Sequence, residues 1–227
     1  MGEMASSLAH ELNQPLSAIA NYCAGCVKRM QAGNYKLEDL LSAMQKASDQ
    51  AERAGKIIRR MRDMVKKSDP NRQPIALAEL LDEARAFADI EAQRTSTQIV
   101  VDLPENLPKI VVDRIMIEQV LLNLIKNGIE AMHDTPVERR RLNIGARQID
   151  ARLLQVEVAD NGHGLAEEDV EKIFAPFYTT KQEGMGIGLA ICRSIIEFHQ
   201  GHLWVEARHE GGTVFRFTVP IEESDDE

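Results

Sequence analysis

Aromatic residues, basic residues and long apolar runs are all scarce in this chain of 227 residues. Phe, Trp and Tyr make up only 4% of it, so aliphatic side chains and Met must build its core. Its 27 Lys and Arg are outnumbered by 36 Asp and Glu, giving a formal net charge of −9. This balance argues against nucleic acid or an anionic membrane surface as a partner, because neutralising phosphates requires clustered positive charge.

The chain also has no apolar run near the roughly 20 residues that cross a bilayer. Its N-terminus lacks the basic start and the apolar stretch of a signal peptide. We therefore expect a soluble, cytoplasmic segment without direct membrane contact, and any membrane anchor of a longer protein would lie upstream.

Cysteine is rare, with Cys23, Cys26 and Cys192 as the only three residues of this type. An odd number without a disulfide framework is typical of a reducing compartment. The Cys23-x-x-Cys26 spacing occurs in metal and redox sites, but a zinc site needs two further ligands and there is no second cysteine pair. We therefore interpret both thiols as apolar positions of a helix.

Apolar residues recur at steps of three and four through the first 65 residues. They form two runs separated by Gly33-Asn34: Leu12, Leu16, Ile19, Cys23, Cys26 and Met30, then Leu37, Leu40, Met44, Ala47, Ala51, Ala54, Ile58, Met61 and Val65. This heptad seam predicts a hairpin of two helices over residues 1–68. Since a lone hairpin buries only one face of each helix, we expect a homodimer through residues 1–68 that forms a four-helix bundle. The alternative is a hairpin that packs on a second domain of its own chain.

Pro70 and Pro74, with polar neighbours, break this pattern and predict a linker over residues 69–74. Residues 75–221 then alternate between helix-like and strand-like runs. The predicted helices cover 78–92, 115–132 and 187–199, and the predicted strands cover 98–101, 110–112, 142–149, 153–159, 203–207 and 213–219. This order predicts an α/β sandwich, in which helices cover one face of a sheet. The acidic residues 222–227 predict a disordered tail.

His10 is a candidate nucleophile on the first helix. It lies two residues before the seam residue Leu12 and therefore faces outward. A neutral imidazole is nucleophilic near pH 7, and the adjacent Glu11 carboxylate could hold its tautomer and accept its proton. An ordinary surface histidine is the alternative.

Asn123 and Asn127 lie one turn apart on an otherwise apolar predicted helix. Amide oxygens at this spacing can hold Mg²⁺, which prefers oxygen ligands beside substrate phosphates. The alternative is a pair of surface amides.

Two glycine-rich segments follow. Asp160-x-Gly162-x-Gly164 comes directly after a predicted strand, where a carboxylate can accept a hydrogen bond from an exocyclic amine such as that of adenine. Gly184-x-Gly186-x-Gly188 opens the last predicted helix, where free amides and the helix dipole favour a phosphate. Lys181 could add a positive charge for the terminal phosphates.

The order of these motifs resembles the catalytic core of sensor histidine kinases along nearly the whole chain. His10-Glu11 is similar to the H box, Asn123 to Asn127 to the N box, and Asp160 to Gly164 to the G1 box. Phe174 to Phe177 and Gly184 to Gly188 are similar to the F and G2 boxes. The wording His-Glu-Leu-Asn-Gln-Pro-Leu resembles the FixL-like and dicarboxylate-sensing subgroup.

The resemblance implies a Bergerat (GHKL) ATP-binding fold over residues 75–221 and a dimeric phosphoacceptor domain. By carry-over, His10 attacks the γ-phosphoryl group of ATP with Glu11 as base, and Asn127 holds Mg²⁺ while Asn123 lines the same site. Asp160 reads adenine, and Lys181 with the G2 glycines holds phosphates. The phosphoryl group then passes to an aspartate in the receiver domain of a response regulator.

Two positions depart from the family pattern. Gly128 stands where alanine is common, and we expect it to add helix flexibility. Glu130 stands where several relatives carry a phosphate-binding lysine, which leaves more of that task to Lys181.

Two rival functions remain. Related ATPases of the gyrase, chaperone and mismatch-repair type share the nucleotide fold, but they resemble one another in having a water-activating glutamate where this chain has Asn123. A dimeric scaffold that binds ATP without transferring phosphate is the other.

Overall fold

The computed structural model describes residues 2–33, 35–65, 71–179, 186–208 and 211–222, and leaves the side chains of residues 2–13, 53 and 56–65 outside the description. The chain divides into two compact units, Met1–Ser68 and Asp69–Glu227. Within the described ranges, none of the helices combines the length and the apolar character needed to cross a bilayer.

The first unit is the predicted helical hairpin. Helix α1 spans Gly2–Gln31 and helix α2 spans Leu37–Val65, and the two pack against each other. The turn uses Gly33 at φ +65°, a conformation that glycine adopts without strain. Several seam residues remain exposed in the single chain, among them Leu16, Met30, Leu37 and Met44.

Within its described residues, the second unit contains seven strands in two sheets. The strands are β1 (Arg72–Ile75), β2 (Gln98–Asp102), β3 (Ile110–Asp113), β4 (Arg141–Gln148), β5 (Leu153–Ala159), β6 (Leu203–Ala207) and β7 (Thr213–Pro220). The larger sheet has the order β2-β4-β5-β7-β6, with β2 parallel to β4 and every other neighbouring pair antiparallel. Strands β1 and β3 form a separate antiparallel pair.

Three helices complete the second unit: α3 (Leu77–Arg94), α4 (Arg114–Ala131) and α5 (Gly188–Phe198). Helix α4 contacts β4 and β5, helix α5 contacts β6 and β7, and α3 packs beside α4. Helix α4 buries a wide apolar face that includes Ile117, Leu121, Leu124 and Ile125. The predicted α/β sandwich is confirmed, and every helix and strand predicted between residues 78 and 219 is present.

The structure differs from the expectation at both ends of this unit. Strand β1 begins at Arg72, inside the predicted linker 69–74, and pairs with β3. Pro74 is compatible with this because a proline can occupy an edge strand, where its missing N–H is not needed. At the other end, the backbone N–H of Glu222 donates to the Lys109 carbonyl at 2.8 Å, so the first residue of the predicted tail is bound to the domain. Residues 223–227 lie outside the described part of the chain.

Candidate functional site

Helix α4 begins at a charged cap. The Asp113 carboxylate accepts a hydrogen bond from the backbone N–H of Met116 at 3.2 Å, which satisfies one of the free N–H groups of the first turn. Its other oxygen accepts from the backbone N–H of Asn71, also at 3.2 Å. The cap therefore sets where α4 starts and joins it to the segment that precedes β1.

Asn123 links α4 to α5. Its Nδ2 donates to the Gly188 carbonyl at 3.3 Å and lies 3.5 Å from Cys192 Sγ. Because a carbonyl can only accept, this contact requires the nitrogen of the amide to point toward Gly188. A Cβ on Gly188 would lie 3.3 Å from Asn123 Oδ1, so a glycine suits this close approach. Asn127 follows one turn later and is half-buried. The two amides of the N-box-like segment thus lie along the helix that faces the start of α5.

Cys192 is fully buried, and its thiol is inert at neutral pH. Burial raises the pKa of this thiol to about 12, opposed by the hydrogen bond from Asn123. In the hairpin, Cys23 is exposed and Cys26 is half-buried. The described residues contain no disulfide and no group of three His, Cys, Asp or Glu side chains arranged to hold a metal ion.

Asp160 is a buried carboxylate at the end of β5, with only 2% of its surface exposed. Its Oδ1 accepts hydrogen bonds from the backbone N–H groups of Gly162 at 2.8 Å and Thr213 at 3.2 Å. Burial raises the pKa of this carboxyl group, and the two hydrogen bonds oppose the shift. Oδ2 accepts no hydrogen bond from any of the described residues. A donor on a ligand would satisfy this buried oxygen.

Glycines pack the surroundings of Asp160 closely. A Cβ on Gly162 would lie 2.5 Å from the Ala131 carbonyl oxygen at the end of α4. A Cβ on Gly128 would clash with the side chain of Leu142 and would lie 3.5 Å from the Asp160 Cβ. The expectation that Gly128 adds helix flexibility stays a prediction. The structure gives the residue a packing role: it is buried within α4, where it lets the helix approach β4 and β5.

Gly212 and Thr213 belong to the same pocket, and the sequence interpretation missed both. Gly212, at φ +90°, lies directly against the Asp160 carbonyl, and the Asp160 N–H donates to the Thr213 carbonyl at 2.9 Å. Gly164 adopts φ +77° next to Gly212. The nearness of Gly212 to Asp160 follows from the pairing of β7 with β5.

In the segment between β5 and α5, a backbone hydrogen bond joins Phe177 to Gly186. The backbone N–H of Phe177 donates to the Gly186 carbonyl at 2.9 Å, and Gly186 adopts φ +63° with no room for a Cβ against Tyr178. Phe174 is held edge-on against Phe215 and lies under the Arg193 guanidinium, 4.4 Å from the ring centre. Lys181 and Gly184 lie outside the described residues.

Both units match known protein families. Residues 1–70 match the His Kinase A (phospho-acceptor) domain, and residues 112–223 match the histidine kinase-, DNA gyrase B- and HSP90-like ATPase family. The solved catalytic domain of histidine kinase ThkA is 34% identical, with a TM-score of 0.60, and the match covers 66% of this chain and 96% of that one. The chain belongs to the histidine kinase family. Its two matched domains are those of a protein-histidine kinase.

Two curated sensor kinases match almost the whole segment. Sensor protein FixL of Bradyrhizobium diazoefficiens is 42% identical over 97% of this chain and 43% of its own length. The C4-dicarboxylate transport sensor protein DctS of Rhodobacter capsulatus is 43% identical over 97% of this chain and 34% of its own length. The predicted resemblance to this subgroup of histidine kinases is confirmed. The chain spans less than half the length of these two relatives.

A structure of histidine kinase ThkA in complex with the response regulator protein TrrA matches both units. It is 29% identical with a TM-score of 0.70, and the match covers 99% of this chain and 63% of that one.

His10 and Glu11, the H-box residues, lie within α1. Their side chains fall outside the described residues. Gln14, one turn after His10, is exposed, whereas Pro15 is buried inside the helix.

Proposed function

We propose that this segment transfers the γ-phosphoryl group of ATP to His10 and then to an aspartate in the receiver domain of a response regulator. The observation that carries the proposal is the open, buried oxygen of Asp160, enclosed by glycines at the end of α4. Such an oxygen favours a ligand with an amine donor, and the exocyclic amine of adenine has that chemistry.

The nucleotide would be held by two groups of residues. Asp160 would read the base, with Gly162 and Gly164 allowing the backbone to approach it. Gly184, Gly186 and Gly188, together with Lys181, would hold the phosphates at the start of α5, where helix dipole and free N–H groups favour an anion.

The amide oxygens of α4 fit Mg²⁺, which prefers oxygen ligands and keeps several waters. Asn127 would be the ligand, and Asn123 would line the same site with its nitrogen turned toward Gly188. When bound, the ion would neutralise charge on the β- and γ-phosphates.

His10 would act as the nucleophile, with Glu11 accepting its proton as the imidazole attacks and ADP leaves. We propose that residues 1–68 serve dimerisation and phosphotransfer, that residues 69–71 form the linker and that residues 72–222 form the catalytic domain, because β1 and Glu222 both bond to it. Exposure of Met30 and Met44 along the seam supports a second copy of the hairpin as its partner.

The ThkA–TrrA complex supports a response regulator as the second partner. Exposed residues on α1 beyond His10 are available to contact it: Asn21, Ala24 and Lys28.

Incubation of the purified chain with γ-³²P-labelled ATP and Mg²⁺ tests the proposal. We expect acid-labile, alkali-stable label on the wild type and on His133→Gln, an exposed-histidine control, and none on His10→Gln. Phosphate release without labelling would instead indicate an ATPase. Nucleotide binding without protein labelling or phosphate release would indicate a scaffold that binds ATP.

A further inference from the structure

A cleft borders the turn that follows Asp160 and is lined in part by Asn161, Gly162 and His163. Its volume is about 880 Å³, within the range of small-molecule sites. Its walls come from the end of α4, the segment 134–141, the turn 161–163, Arg208 and Gly211. Among its described lining residues, the proposed kinase reaction uses only Gly162.

Four arginines line this cleft: Arg139, Arg140, Arg141 and Arg208. Among the described residues, no carboxylate lies within ion-pair distance of any of them. Asp134 and Glu138 also line the cleft, yet neither forms such a pair. Elsewhere in this unit, Arg114 pairs with Glu118, and Arg216 pairs with Glu157. With four arginines against two acidic residues, the cleft carries an excess of positive charge in a chain whose net charge is −9.

Arg140 has a structural role that explains its charge. Its guanidinium donates to the carbonyls of Thr95 and His133, both at 2.6 Å, and its Nε donates to Thr135 at 2.8 Å. Thr95 and His133 follow the C-terminal ends of α3 and α4, where the helix dipole favours a cation. All three guanidinium nitrogens of Arg140 are thus engaged.

The other three arginines keep N–H groups for a ligand. Toward the described part of the chain, Arg141 donates only from Nε, to Asn143 Oδ1 at 2.9 Å, and Arg208 donates only from Nη1. The ligand-binding charge of the cleft therefore comes from these three arginines.

Asn161 joins the two walls that carry these arginines. Its Oδ1 accepts from Arg208 at 2.7 Å, and its Nδ2 donates to the Arg139 carbonyl at 3.3 Å. Arg208 also donates to the Asp160 carbonyl at 3.1 Å, and Thr135 donates to the Asn161 carbonyl at 3.3 Å. The cleft is thus held open by a network built on the residue that follows Asp160.

We propose that this cleft binds a small anion carrying several phosphate groups through Arg139, Arg141 and Arg208. Arginine forms bidentate, charge-assisted hydrogen bonds with phosphate oxygens, which lysine does not. The concave shape and the cluster of only three available arginines favour a small molecule over a nucleic acid. The three arginines are not among the residues proposed to hold ATP, although Gly162 belongs to both sites.

Calorimetric titration of the whole chain with inorganic tripolyphosphate tests the proposal. Saturating Mg²⁺ and a non-hydrolysable ATP analogue keep the nucleotide site filled, and a separate titration with that analogue reports the nucleotide site itself. The test variant is R139A/R141A, and the matched control is R147A/R152A, which removes the same charge from exposed positions outside the cleft. Thermal unfolding of each variant checks that it folds.

We expect one saturable site in the wild type, a Kd at least about tenfold weaker in R139A/R141A, and a change below about twofold in R147A/R152A. Absence of saturable binding to the wild type would overturn the proposal. Equal weakening in both double variants would also overturn it, since this would indicate general electrostatic attraction. Failure of the wild type to bind the ATP analogue would count against the proposed ATP site. The comparison of R139A/R141A with R147A/R152A would then still decide the tripolyphosphate proposal.

Discussion

The His199 imidazole joins the end of α5 to the cap of α4 by accepting a hydrogen bond at Nε2 from the Asp113 backbone N–H at 3.0 Å. Its Nδ1 lies 2.7 Å from the Ile195 carbonyl, which can only accept. His199 is therefore neutral with its proton on Nδ1, and it is fully buried. This contact connects the helix that follows the G2-like glycines to the helix that carries Asn123 and Asn127.

Acid should weaken the second unit through His199. Burial lowers the pKa of this residue below its usual 6.5, with partial opposition from the hydrogen bond to Ile195. The unfolded chain thus takes up its proton near pH 6.5, and the folded chain does so only at lower pH. Above pH 6.5 we expect the contribution of His199 to the free energy of unfolding to be present in full. It then falls by about 1.4 kcal/mol per pH unit below that value, until the folded-state pKa is reached.

Urea unfolding from pH 7.5 to 5.5, followed by fluorescence of Trp204, the single tryptophan, measures this effect. His199→Gln is the control, because glutamine can donate and accept but does not titrate. Matching pH dependence in the variant and the wild type would show that His199 is not the group responsible.

Asp160→Asn should weaken nucleotide binding without weakening the fold. The amide oxygen can still accept from Gly162 and Thr213, and the substitution removes a buried charge. Loss of the acceptor facing the ligand should raise the Kd for a non-hydrolysable ATP analogue about 10- to 100-fold. Calorimetry would measure the Kd and thermal unfolding the stability. Asp102→Asn, an exposed change of the same type, should bind normally, and an unaltered Kd in Asp160→Asn would contradict the assignment.

Gly128 and Leu142 should be energetically coupled. Gly128→Ala gains about 1 kcal/mol of helix propensity but forces a methyl group against Leu142, at a cost of about 1–3 kcal/mol. Leu142→Val removes the obstructing carbon. We expect the free energy of unfolding of the double variant to exceed, by at least about 1 kcal/mol, the value obtained by adding the changes of the two single variants.

Denaturant unfolding of the four proteins gives this coupling energy. Leu154→Val, a substitution at a buried position of β5, provides the comparison and should be additive with Gly128→Ala. Additivity in both pairs would mean that Leu142 is not the limiting contact.

Met44→Glu should dissociate the proposed homodimer. Met44 is a seam residue that is 66% exposed in the single chain, so its burial depends on a second copy. Each dimer would bury two unpaired carboxylates, and the dimer Kd should rise at least about a hundredfold. Sedimentation velocity over a concentration series measures this, with exposed Ser42→Glu as the off-seam control. A wild type that stays monomeric throughout would refute the dimer.

Local patterns were enough to predict most elements of the fold. The three- and four-residue steps of the hairpin, the apolar run of α4 and the alternation in β4 and β5 each reflect neighbours that are close in the chain. The sequence patterns did not predict β1, because proline is rare in strands and this strand contains Pro74. The proline is tolerated because β1 is an edge strand, paired only with β3 among the described strands.

The candidate site was predictable only where its residues cluster in sequence. Asp160, Gly162 and Gly164 form one turn, and their spacing reveals it. Thr213 gave no such signal, because its contact with Asp160 depends on the register that pairs Ala159 with Val214.

The helices, strands and motif residues could be identified from local sequence patterns, because hydrophobic period and turn chemistry act over a few residues. Tertiary contacts determine which of these elements meet. His199 reaches Asp113 across 86 residues, and Arg208 reaches Asn161 across 47. Such contacts arise when strand pairing and helix packing bring distant backbone together, and no local pattern encodes that distance.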